Sequence, residues 1–346
     1  MRAMARPSII PLLSLLALNL LTACPPKEEE RDEDSTGDEG IMFPDEAAAQ
    51  DAPRHEASES VARGEAALAR GELQEATAIF REAVAADATD ARAQLDLGLA
   101  LELANDYAGA EAAYRAALDI DGDFAEALNN LGLLLRDRER GSEAVPLLRR
   151  TVELEPSMAE AWVNLALALE ESGDDRGAEQ AYRATVRLVP DDPMVRANLG
   201  LLLLRNGEES AAALELRRGL QHARGNVAAL QAIGNGLRRA GHPGGAARAM
   251  EMLVDTMDAP TPAVLSELAL AQRAGGDRGA AERTLERALT VDETFATAHY
   301  LLGSMQAARG AYAEAIRHFE RYLALEPQGT HADRVRRHLQ AARSAR

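Results

Sequence analysis

A repeat of 34 residues runs through most of this chain and limits the folds that the chain can adopt. Its clearest trace is an asparagine that recurs in three consecutive repeats, as Asn130, Asn164 and Asn198. A fixed period of this length is typical of solenoids built from helical hairpins, because each hairpin buries its apolar face only against its neighbours. We therefore expect one elongated all-α domain, although a length of 346 residues would otherwise suggest two globular domains.

Several positions of the repeat fix its frame. The twentieth position is alanine in every copy and the eighth is always glycine or alanine, as two helices need where their backbones approach closely. A turn residue, mostly glycine, separates two helical stretches, and larger apolar residues fill the core between them. The eight repeats are 57–90, 91–124, 125–158, 159–192, 193–226, 227–260, 262–295 and 296–329.

The segment that follows the last repeat, residues 330–346, predicts one more helix. Val335, Leu339 and Ala342 have helical spacing there, and arginines occupy much of the rest. We expect this helix to cap the last hairpin.

Two short segments are similar to the opening of a known repeat. Residues 128–132 (LNNLG) and 162–166 (WVNLA) resemble the aromatic-x-x-Leu-Gly start of the tetratricopeptide repeat, with alanine in place of glycine in the second. The resemblance extends over residues 57–329. It implies a right-handed superhelical solenoid of eight hairpins with a capping helix, which most often serves as a binding scaffold.

The same resemblance implies a binding groove along the first helices of the repeats. The sixth position of the repeat supplies a row of polar residues, mostly asparagine, and the ninth position supplies a row of leucines beside it. The first four repeats hold 28 acidic residues against 13 arginines. Such a surface suits an apolar peptide that carries basic residues. The alternative is that the asparagines are structural or merely tolerated. The candidate groove residues are Asp96, Leu99, Asn130, Leu133, Asn164, Leu167, Asn198 and Leu201.

Catalytic and metal-binding patterns are not found in the sequence. None of the seven histidines has the His-x-x-x-His or Glu-x-x-His spacing of metal sites, and the repeats leave no residues for an enzyme domain. We therefore expect no enzymatic activity, no cofactor and no metal. A net charge of −18 argues against nucleic acid as the ligand, because phosphate contacts need a basic surface.

The first 23 residues predict a secretory signal peptide. Arg2 and Arg6 precede an apolar stretch, residues 9–21, which is too short to span a bilayer that needs about 20 residues. The stretch ends in the sequence LTAC, which resembles the bacterial lipoprotein signal, and Cys24 is the only cysteine in the chain. The resemblance implies that the thiol of Cys24 is lipidated. An uncleaved signal anchor with an incidental thiol is the alternative.

The segment 24–56 differs in character from the repeats. Residues 25–56 hold 12 acidic residues and three basic ones, with almost no apolar periodicity. Such a composition predicts a disordered tether that its own charge extends. We expect a spacer, with a specific acidic docking motif as the alternative. The residue after Cys24 is Pro25 and not the aspartate that resembles an inner-membrane retention signal in some bacteria, and the resemblance therefore implies the outer membrane.

These features together predict a non-enzymatic, lipid-anchored scaffold in the bacterial envelope, on the outer membrane and facing the periplasm. It would bind envelope proteins or peptides in its groove. It resembles both the lipoproteins that help pilus or secretion pores assemble and those that tether peptidoglycan hydrolases. The alternative is an architectural component of a pilus, secretion, gliding-motility or polysaccharide-export machine without a dedicated peptide ligand.

Lipidation can be tested directly. We expect the parent chain to incorporate labelled palmitate and to fractionate with membranes, and Cys24→Ser to lose both properties, because two or three acyl chains hold a protein firmly where one is marginal. A Cys24→Ser chain that stays in the membrane fraction, together with an unlabelled parent, would show that the anchor is wrongly assigned.

Overall fold

The computed structural model describes residues 48–345, with side chains from residue 59 onward. Every regular element in this range is an α-helix. Within it, no helix has both the length and the apolar character needed to cross a bilayer. The predicted signal peptide, Cys24 and residues 24–47 of the predicted tether lie outside the described residues.

The range contains seventeen helices, and the first sixteen form eight hairpins. In chain order they are α1 (Ala48–Ala69), α2 (Leu73–Ala86), α3 (Ala91–Leu103), α4 (Tyr107–Ile120), α5 (Ala125–Asp137), α6 (Gly141–Leu154), α7 (Ala159–Glu171), α8 (Asp175–Leu188), α9 (Pro193–Arg205), α10 (Glu209–His222), α11 (Val227–Arg239), α12 (Pro243–Thr256), α13 (Pro262–Ala274), α14 (Arg278–Val291), α15 (Ala296–Ala308), α16 (Tyr312–Leu325) and α17 (Ala332–Ala345). The prediction of an all-α fold of repeated hairpins with a C-terminal capping helix is confirmed.

The first helix begins earlier in the chain than the sequence predicted. Residues 48–56 belong to α1, although the sequence predicted a disordered tether as far as residue 56. Three of its nine residues are alanine, the residue with the highest helix propensity, although it also contains Pro53, which disfavours a helix interior. Extending an existing helix by one residue avoids the unfavourable nucleation step, so α1 continues beyond the repeat frame.

The two helices of a hairpin pack tightly at the eighth position of the repeat, where a large side chain of the second helix lies against a glycine of the first in five of the hairpins. A Cβ atom placed on Gly98 would lie 2.5 Å from the Tyr114 ring, and one on Gly303 would lie 2.7 Å from the Phe319 ring. Tyr114 and Phe319 are both fully buried. The small residue at this position therefore makes room for the large residue that fills the hairpin core.

The turn inside each hairpin uses one residue with left-handed backbone conformation. Glycine supplies it in six hairpins, and Asn105, with φ of 64°, supplies it in another. The remaining hairpin uses Glu139, with φ of 61°. The sequence showed no turn residue there, because a left-handed glutamate is unfavourable by about 1–2 kcal/mol and is not expected. The hairpin geometry overrides that local preference.

Aspartates at the helix starts account for part of the negative charge of the repeats. The side chains of Asp90, Asp106, Asp174 and Asp277 each accept a hydrogen bond from a backbone N–H in the first turn of the helix that follows. Asn226 and Thr261 cap α11 and α13 in the same way. Such caps satisfy N–H groups that lack a partner within the helix.

The chain divides into two compact units, one ending at Leu134 and the other beginning at Leu135. The first unit contains α1–α4 and most of α5. The second contains the end of α5 and α6–α17, and within it each helix packs mainly against its sequence neighbours, as expected of a solenoid. At its C-terminal end, Val335, Leu339 and Ala342 of α17 are buried in one cluster with Phe319 and Tyr322.

Two histidines form a neutral pair in the last hairpin. The Nε2 atom of His299 lies 3.1 Å from the Glu293 carbonyl oxygen, and its Nδ1 lies 2.8 Å from Nδ1 of His318. If Nε2 donates to the carbonyl, Nδ1 of His299 accepts the proton of His318. Burial, with smaller contributions from His299 and Arg317, lowers the pKa of His318 to about 4, so the pair is uncharged at neutral pH.

The close approach within a hairpin is testable at Gly303. We expect Gly303→Ala to destabilise the protein by about 1–3 kcal/mol, because the added methyl group meets the buried Phe319 ring and the Ala315 carbonyl oxygen at 3.3 Å. Urea unfolding measures the change. Gly244→Ala is the control: a Cβ atom at Gly244 meets nothing within 4 Å. An equal loss of stability in both variants would contradict the packing argument.

Candidate functional site

The eight predicted groove residues divide equally between the two compact units. Asp96, Leu99, Asn130 and Leu133 belong to the first unit, and Asn164, Leu167, Asn198 and Leu201 to the second. Their environments differ although they occupy equivalent positions of the repeat. Three of them, Asp96, Asn164 and Leu167, are buried, and the other five are half-buried.

Asp96 in the first unit is held by neighbouring charges and is not displayed to solvent. Asp96 is 3% exposed, and its carboxylate accepts a hydrogen bond of 3.1 Å from Nε of Arg92, whose Nη2 also lies 3.4 Å from Glu65. Burial raises the pKa of Asp96 to about 6, although Arg92 acts in the opposite direction. Asp96 is therefore part of the packing between α1 and α3.

The other three residues of the first unit remain accessible. Leu99 of α3 and Leu133 of α5 are half-buried, and so is Asn130. The adjacent Asn129 is buried, and its Nδ2 atom lies 3.5 Å from the Asn130 amide oxygen, at the limit of hydrogen-bond distance. Two leucines and one amide group thus form the accessible part of the predicted row in this unit.

Asn164 in the second unit is engaged by a buried arginine that the sequence analysis missed. Nη1 of Arg136 donates to the Asn164 amide oxygen at 3.2 Å, and its Nε and Nη2 atoms donate to Asp137 at 3.1 and 2.6 Å. Arg136 and Asn164 are each only 8% exposed. A buried guanidinium needs acceptors for its N–H groups, and Asn164 is one of them.

The leucines of the second unit are also unequal. Leu167 on α7 is 5% exposed and belongs to the core. Leu201 on α9 is half-buried, and a Cβ atom on Gly236 of α11 would lie 3.3 Å from its Cδ2 atom. Asn198, one turn before Leu201, is half-buried as well. The accessible part of the row in this unit is therefore on α9.

A network of charges lies beside Asn164. The Tyr182 hydroxyl donates to Glu170 at 2.6 Å, Arg205 lies 2.9 Å from Glu170, and Nη2 of Arg205 donates to Asp175 at 2.6 Å. The first unit repeats the tyrosine part, where Tyr114 donates to Glu102 at 2.8 Å. A tyrosine twelve residues after a glutamate was the sequence signal that could have revealed both pairs. Glu170 and Arg205 hold each other and so are not free ligands for a charged partner.

The described residues contain no cluster of side chains suited to bind a metal ion. Across residues 48–345, no three side chains of histidine, cysteine, aspartate or glutamate come together as metal ligands would. The first unit presents half-buried leucines and an amide on α3 and α5, and the second unit presents a half-buried leucine and an amide on α9. Such groups provide apolar contact and hydrogen bonding to a peptide.

Comparison with protein families gives one match. The Tetratricopeptide repeat model matches residues 61–125, 129–193, 171–227 and 266–330, which is more than half of the chain. A search of curated proteins finds no match.

Several solved structures are similar to this chain in fold. MamA of Desulfovibrio magneticus RS-1 is 22% identical, with a TM-score of 0.47, and the match covers 49% of this chain and 97% of MamA. The pilF structure from Pseudomonas aeruginosa is 19% identical, with a TM-score of 0.49 and coverage of 74% and 99%. A tetratricopeptide repeat protein from Parabacteroides merdae is 18% identical, with a TM-score of 0.46 and coverage of 73% and 98%. Identities this low show nothing about shared function.

The two roles considered for the asparagine row can be separated by stability measurements. We expect Asn164→Ala to destabilise the protein by about 1–3 kcal/mol, because Arg136 loses an acceptor inside the protein. Asn198→Ala should change stability by no more than about 0.5 kcal/mol, since Asn198 is half-buried and lacks an equivalent arginine. Urea unfolding of both variants gives the comparison. Similar effects at the two positions would refute a structural role specific to Asn164.

Proposed function

Because this chain belongs to the tetratricopeptide repeat family, we propose that it is a non-enzymatic scaffold that binds protein partners or peptides on its first helices. We further propose that it is anchored through Cys24 to the bacterial outer membrane and faces the periplasm. The family supports the general role in protein–protein interaction. The anchor and the location rest on the sequence of residues 1–25.

One observation supports peptide binding above all others, namely the partial exposure of the leucine at the ninth position. Leu99, Leu133 and Leu201 are half-buried, whereas leucines close to each of them on the same helix are buried. Leu97 and Leu101, for example, are 9% and 6% exposed, and Leu199 and Leu202 are 2% and 1% exposed. The core therefore uses the neighbouring leucines and leaves apolar area at the ninth position for a ligand.

The polar groups around these leucines favour a ligand with basic residues. Glu126 precedes Leu133 by two helical turns on α5 and is exposed. Asn130, between them, can donate to and accept from a peptide backbone. Repeats one to four hold 28 acids against 13 arginines, and this negative charge also attracts a basic ligand at short range. We propose an apolar segment flanked by lysine or arginine as the ligand class.

The proposal is tested with a double substitution in the first unit. We expect Leu99→Ser with Leu133→Ser to reduce the yield of partner proteins crosslinked in intact cells at least tenfold, because both accessible apolar contacts are removed. Mass spectrometry of the crosslinked products, at equal protein level and equal helical circular dichroism signal, provides the measurement. The matched control is Ile120→Ser, since Ile120 is a 38% exposed apolar residue on a second helix of the same unit.

The same experiment separates the proposed scaffold from an architectural spacer. A spacer without a dedicated peptide ligand would keep its cellular role and its crosslinked neighbours after the double substitution. That result would replace peptide binding with the architectural role in a pilus, secretion, motility or export machine.

A further inference from the structure

A second apolar surface lies in the second unit, away from the leucine row. It is a cavity of about 330 Å³ between α8, α9 and α10, and none of the eight predicted groove residues lines it. Leu199 and Leu203 of α9 form its buried base, at 2% and 1% exposure. Val186 and Leu214 stand at its sides, and Leu214 is 46% exposed. The volume is at the lower end of the range for ligand pockets, about 300–1,000 Å³.

The rim of this cavity has positive charge. Arg187 and Arg183 of α8 are both exposed, and Arg183 lies 2.6 Å from Glu179 on its own helix. No ion pair within the described part of the chain involves Arg187. The one acid on the rim, Glu215, is already paired with Arg196 at 2.5 Å and with Arg218 at 2.7 Å. The rim therefore favours a ligand that places carboxylates next to an apolar group.

The chain itself contains one segment with this chemistry. Residues 38–46 read DEGIMFPDE, in which Ile41, Met42 and Phe43 stand between two pairs of acids. These three are the only bulky apolar residues between positions 25 and 56. The proline after Phe43 favours an extended backbone at Phe43, as needed to place one side chain in a cavity and its flanking acids at the rim.

We propose that the cavity between α8, α9 and α10 binds residues 38–46 of a second copy of this chain. Phe43 or its apolar neighbours fill the space above Leu199 and Leu203, and the acids at 38, 39, 45 and 46 face Arg183 and Arg187. The contact is reciprocal in kind, because every copy has both the segment and the cavity. Self-association through this contact does not use the leucine row, which stays available to another partner.

The experiment uses the full chain with a photoreactive phenylalanine analogue at position 43. Unlabelled and nitrogen-15-labelled copies are mixed, irradiated and digested, and the crosslinked peptides are identified by mass spectrometry. We expect crosslinks from position 43 to residues 183–187 and 211–215, with light and heavy peptides joined in the same product. Leu214→Glu should lower their yield at least tenfold, because it places a carboxylate beside Glu215 and in the path of the apolar group.

Three further variants make the test specific. Val291→Glu changes a 54% exposed apolar residue of the same unit that does not line the cavity, so it should leave the yield unchanged. Arg187→Glu should weaken the crosslink, and Asp45→Arg with Glu46→Arg in the other copy should restore it. Products that join only light to light and heavy to heavy would show docking within one chain and overturn the proposal. Crosslinks that avoid α8 and α10, or that reach a different protein, would overturn it too.

Discussion

The contact on which the structure depends is the close approach of two helices inside each hairpin. A glycine or alanine at the eighth position faces a large buried residue such as Tyr114 or Phe319, at distances that leave no room for a longer side chain. This contact sets the separation of the helices, and the separation determines which other residues are buried. The half-exposed leucines, the buried arginine and the tyrosine–glutamate pairs lie on the helices that this contact holds together.

The sequence predicted the helices well because their pattern repeats, and it failed where a single residue departs from the pattern. The small and large positions recur in every copy, so eight hairpins and the capping helix follow from them. Glu139 could not be predicted as a left-handed turn residue, because nothing local favours that conformation. The helical state of residues 48–56 was missed for a different reason: their charge suggested disorder, while their alanines extend α1.

The candidate site shows why identical residues in a repeat need not have identical roles. Asn130, Asn164 and Asn198 occupy one column, but only Asn164 faces a buried arginine, which comes from the preceding repeat. The partner of Asn164 lies 28 residues earlier in the sequence, where the equivalent residues for Asn130 and Asn198 are Glu102 and Glu170, so the column alone could not reveal it. The same holds for Leu167, which is buried while Leu133 and Leu201 are not. The place of each residue in the repeat could be predicted from the sequence, but its burial and its hydrogen-bond partner could not.

These differences indicate how stability and recognition are divided over the molecule. Several polar and charged groups on the first helices are already paired: Arg92 holds Asp96, Arg136 holds Asn164, and Arg205 holds Glu170. Arg136 and Asn164 are both buried, and removing one of them leaves the other without its hydrogen bond, so this pair is a poor candidate for exchange with a ligand. The groups left for recognition are therefore those that the fold does not require, the accessible leucines on α3, α5 and α9, and Leu214 with Arg187 beside the cavity. A protein built this way can lose or change a binding surface without losing its fold, because the two functions rest on different residues.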